Sequence, residues 1–314
     1  MDSPEKIPNG TERTIDGKLC VFYDGYWIKR YDPMEDSLET KKYLIEALTR
    51  RLFNHVEHGI NMPGTRLEEA RRAYEEESDP ERKRVNGAML AGALFNRGTD
   101  IFRQLVELGE EDVTVGRSRE MLHECGQYLL QALEMGKLVK HRSGDEGIDE
   151  LWGEPFRAFT VPITAFYETR YIKIAQTMRD IDRISAAMIE AFKGSHLFPN
   201  AQSLIREFAQ AAKLKSETLR TDPVIFEVWP TFVVAGEKLL QIGSVEKTNE
   251  SCLACWESDE GNRLLKEGTD LITHIARARV PMPKSTRIFI DRCVAYTQCR
   301  MPVGVIGKIE AKSL

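Results

Sequence analysis

Six histidines and six cysteines are spread over this 314-residue chain, and a few have spacings that chemistry can use. His55 and His58, in NHVEHG, stand one helical turn apart and so project from one side of a helix. Two imidazoles at that spacing are half of a transition-metal site. The plainer account is a core histidine beside a helix-end histidine that complements the dipole. His141 opens the polar stretch HRSGDEGIDELWGEP at 141–155, and Glu168 follows in YETRY. His55, His58, His141 and Glu168 are the expected metal ligands, and imidazole with carboxylate suits iron, zinc or manganese alike.

The same polar stretch is read as a long loop on a helical scaffold, a place where function often resides. Arg142 and Ser143 are expected there to hold an anionic ligand, and Trp152 to cover an apolar group. A solvated Ω-loop is the alternative. Tyr167, Arg170 and Tyr171, bordering the core at the start of the next helix, are the expected catalytic side chains.

Other signals are weaker. Glu120-Met-Leu-His123 matches half of a di-iron motif, but the chain holds no second Glu-x-x-His, and His123 shares a face with Gln127, Glu134 and Lys137. That face reads as solvated. Cys252 and Cys255 have the spacing of half a zinc site, which Cys293 and Cys299 would have to complete. The second pair has no familiar zinc spacing, so incidental thiols are the simpler reading. No glycine-rich phosphate loop, nucleophile elbow or Asp-rich diphosphate motif stands out, so no nucleotide cofactor is expected.

These residues sit on elements that the apolar pattern outlines. With 42% hydrophobic and 30% charged residues, the composition is that of a globular chain. A net charge of -5 argues against a nucleic-acid or anionic-membrane partner, which would favour a clustered basic surface. No run approaches the ~18 apolar residues of a membrane span, and the polar start carries no secretory signal. The expected setting is the cytoplasm, with reduced thiols.

In LCVFYDGYWIKRY, Asp24-Gly25 between aromatic-rich runs predicts a β-hairpin with a type I′ turn. Everything beyond it has helical periodicity. The cleanest stripe is Ile163, Tyr167, Ile174, Met178, Ile181, Met188 and Phe192. The expected fold is all-α, an antiparallel helical bundle with a short N-terminal hairpin. Its expected parts are a flexible start (1–18), the hairpin (19–31), the bundle (36–195), a C-terminal helical part (196–300) and an irregular tail (301–314).

One break decides which candidates meet. A bend at Asp79-Pro80 would carry His141 to the same end as His55, whereas a reversal would bring Glu120 and His123 there. The bend is favoured because it gathers more polar residues at one end. Two functions remain open. One is an enzyme, a metal-dependent oxidoreductase acting on a small molecule. The other is a non-catalytic adaptor or regulatory protein that binds a protein partner. The hairpin has two apolar faces and free edges, which points to a homodimer or a complex with another protein.

Overall fold

The computed structural model describes residues 7–53, 66–109, 115–139, 146–192, 201–218, 228–242 and 255–299. It is mostly helical, with a small antiparallel sheet at the N-terminus. Its contacts divide the chain into two compact units. One comprises Met1–Lys29 with Lys173–Leu314, and the other comprises Arg30–Ile172. Among the described residues, no helix is long and apolar enough to cross a membrane.

The first unit begins with three strands, β1 (Glu12–Ile15), β2 (Lys18–Tyr23) and β3 (Tyr26–Lys29), paired in the order β1-β2-β3. The hairpin expected around Asp24-Gly25 is β2–β3, in the register Val21↔Ile28 and Tyr23↔Tyr26. A second hairpin precedes it, so the sheet has three strands and reaches into the segment expected to be a flexible start. Both turns are Asp-Gly pairs at positive φ: 49° and 74° at Asp16-Gly17, 57° and 101° at Asp24-Gly25. Aspartate tolerates this left-handed backbone and glycine adopts it freely, which closes each hairpin with the twist its strands need. Val21, Tyr23 and Ile28 are buried, and Phe22 meets Trp27 edge-on across the strands, with ring centroids 5.2 Å apart.

The second unit contains α1 (Leu38–Phe53), α2 (Leu67–Glu76), α3 (Pro80–Gly109), α4 (Val115–Leu138) and α5 (Glu146–Thr160), followed by the first turns of α6 (Ile163–Phe192). The Ser37 hydroxyl caps α1 by accepting the Thr40 N–H at 3.2 Å, and Asp79 caps α3 by accepting the Arg82 N–H at 2.9 Å. Pro80 occupies the first turn of α3, where its missing N–H costs nothing.

Most of the stretch read as a loop at 141–155 is helix: α5 starts at Glu146 and runs through Pro155. Leu151, Trp152, Pro155 and Ala158 are buried, a spacing of one helical face.

The remaining elements belong to the first unit. They are α7 (Ala201–Thr218), α8 (Trp229–Ile242), α9 (Cys255–Ala278) and α10 (Pro283–Cys299). Phe208 of α7 packs edge-on against Phe232 of α8, with centroids 4.9 Å apart. Gly268 of α9 lets Met188 of α6 and Phe289 of α10 approach its backbone closely. The connection Arg279–Met282 between α9 and α10 is buried, and the Asp180 carboxylate of α6 satisfies it by accepting the Met282 N–H at 2.8 Å. That bond removes the cost of a buried, unmatched amide.

Candidate functional site

Contacts within the second unit fix the directions of its helices. Lys41, early in α1, donates to the carbonyls of Phe159 and Val161 at the far end of α5, at 3.2 and 3.1 Å. Arg51, late in α1, meets Glu154 in the middle of α5. The two helices are therefore antiparallel. Gly136 of α4 lies against Trp152, and Gly126 against Phe159, so α4 and α5 are antiparallel too. Phe95 and Phe102 of α3 meet Trp152 and Phe159 in the same order, which makes α3 parallel to α5.

The break at Asp79-Pro80 is a reversal, not the favoured bend. Asn86 of α3 donates to the Ala73 carbonyl of α2 at 2.8 Å, and the Tyr74 ring covers Gly87 and receives Lys83 at 5.2 Å from its centroid. Gly87 also lies against Val139, just past α4, so α2 ends beside the last turn of α4. A reversal there would bring Glu120 and His123 to the end of α1 only if α2 ran opposite to α1. It instead runs in the same sense as α1, and α3 then descends. The C-terminal ends of α1 and α4 and the start of α5 consequently share one end of this unit.

His55 and His58, which follow α1, lie outside the described residues, as do His141, Arg142 and Ser143 between α4 and α5. Glu168 is exposed on the second turn of α6. Because α5 is a helix, α6 begins at the opposite end of the unit from the start of α5. Among the described residues, no three His, Cys, Asp or Glu side chains are grouped as metal ligands.

The other candidates are inside. Trp152 is fully buried, stacked on Phe95 with centroids 5.9 Å apart, and its indole rests on the bare backbone of Gly136. Burial of a side chain of this size contributes on the order of 2–3 kcal/mol. Arg170 and Glu154 are each 1% exposed, and Arg51 is 7% exposed. The Glu154 carboxylate divides its oxygens between the two guanidiniums: Oε1 accepts from Arg170 Nη1, and Oε2 accepts from Arg51 Nη2 at 2.8 Å. One carboxylate thus ties α1, α5 and α6 together in a medium where an isolated charge would be costly.

Tyr167 is buried with its ring edge-on to Phe166. The Tyr171 hydroxyl accepts the Tyr31 N–H at 2.8 Å and donates to the Tyr31 carbonyl at 3.2 Å. It therefore pins the irregular segment that leads from residue 30 into α1. These contacts make Arg170 and Tyr171 organisers of the fold. Sequence periodicity places them at the border of the α6 stripe, but their partners come from distant segments.

In the first unit, a polar cluster fastens the sheet to α6. Arg179 pairs with the Asp24 carboxylate at 2.6 Å and also donates to the Asp24 carbonyl at 2.8 Å. The Tyr26 hydroxyl donates to Asp182 at 2.9 Å. Burial raises the Tyr26 phenol above its usual range, and the hydrogen bond and negative charge of Asp182 add to the shift. The Asp24-Gly25 turn announced this hairpin in the sequence. The matching signal at Asp16-Gly17 was hidden by the polar strand ERTI before it.

Cys125 and Cys293 are buried free thiols, and burial pushes each up to about 12. Such thiols are protonated and poor nucleophiles at neutral pH. Of the other cysteines considered for zinc, Cys252 lies outside the described residues, as do the side chains of Cys255 and Cys299. Glu120 and His123 are exposed on α4. No protein family, curated protein or solved structure matches the chain.

Proposed function

We propose that the chain is a non-catalytic adaptor or regulatory protein that binds a protein partner through its helical surfaces and its N-terminal sheet. The observation that supports this reading is the inward commitment of Arg170, Tyr171 and Trp152, which are 1%, 7% and 0% exposed. A catalytic acid, base or ligand clamp has to reach a substrate, whereas these three side chains hold helices and a backbone segment in place. The sheet offers the opposite character: β1 lies at its edge, with Glu12, Arg13 and Thr14 exposed.

In this reading α1, α3, α4 and α5 form an antiparallel bundle. The protein works in the cytoplasm, where its buried free thiols stay reduced, and forms a homodimer or a complex with another protein. Affinity capture and solution mass, compared between the parent and an Arg13→Glu/Thr14→Pro variant, test it. Loss of a reproducible partner, or a fall from dimer to monomer mass, supports the sheet as the contact. Unchanged capture and mass would remove it from that role.

A metal-dependent oxidoreductase acting on a small molecule is the second reading, and one observation favours it. The ends of α1 and α4 and the start of α5 come together, and His55, His58 and His141 belong to the segments that follow those ends. Iron or another divalent ion is the cofactor this reading requires. Elemental analysis and an absorption spectrum of the purified protein separate the two readings. Stoichiometric metal that is lost in His55→Ala while helicity is retained would overturn the adaptor reading.

A further inference from the structure

We draw no further inference here: the strongest candidate, the buried Arg51–Glu154–Arg170 cluster joining α1, α5 and α6, belongs to the site already described, and nothing in the structure shows a ligand reaching it.

Discussion

The Tyr171 hydroxyl satisfies both the N–H and the C=O of Tyr31, a residue 140 positions away in sequence. A single phenol thus holds the segment entering α1 against α6. Replacing Tyr171 with Phe keeps the ring and removes both bonds. The expected loss is about 1–3 kcal/mol, because two backbone groups lose their partner in a partly buried place. Urea unfolding followed by circular dichroism measures it; a midpoint equal to that of the parent would show that water replaces the hydroxyl without loss.

Glu154 serves two guanidiniums, so its removal is felt at both. Glu154→Gln should destabilise the protein by about 3–5 kcal/mol, the usual effect of leaving buried charge without its counter-charge. Arg51→Met/Glu154→Leu/Arg170→Met should recover much of that loss, since an apolar set of similar volume buries no charge. Thermal unfolding of the parent, the single variant and the triple variant checks the order. A triple variant less stable than Glu154→Gln would mean that the ion cluster is net stabilising.

Two helical glycines in α4 should respond to alanine with opposite signs. At Gly116 a Cβ meets nothing within 4 Å, so Gly116→Ala should gain up to about 1 kcal/mol from helix propensity. At Gly136 a Cβ would run into the Trp152 indole, which is fixed by its stack on Phe95. Gly136→Ala should cost about 1–3 kcal/mol despite the same propensity gain. Paired denaturation curves decide, and a stabilised Gly136→Ala would show that Trp152 has room to move.

Cys125 and Cys293 should react with a thiol reagent slowly in the native protein and quickly once it unfolds. Their pKa rises from a model-compound value of 9.0 to about 12 in the folded state. The folded protein then holds protons that the unfolded chain releases. Stability from these groups is complete below about pH 9 and is lost as the pH rises toward 12. Tyr26, also raised, loses its contribution as the pH climbs beyond the ordinary tyrosine range. Unfolding midpoints from pH 8 upward should therefore fall. They should fall less in Cys125→Ala/Cys293→Ala, measured against that variant's own value at pH 8.

Local pattern was enough to read the helical class, the β2–β3 turn at Asp24-Gly25, the break at Asp79-Pro80 and the buried stripe of α6. Periodicity and turn chemistry act between neighbours, so they are legible along the chain. The same local rules misled at α5, where Gly147, Gly153 and Pro155 disfavour helix. Packing of Trp152 into the cleft beside Phe95 and Gly136 outweighs that preference. The sense of α2 was equally beyond local reading, because Asp-Pro starts a helix whether the chain bends or reverses. The contact of Tyr74 with Gly87, and of Gly87 with Val139, settles that direction. The fate of Arg170 shows the same limit. At the edge of an apolar stripe a guanidinium faces water unless a carboxylate is brought to it, and here Glu154 arrives from 16 residues away while Arg51 shares it from 103 residues away. Whether such a charge is catalytic surface or internal tie depends on which segments meet, and only tertiary packing decides that.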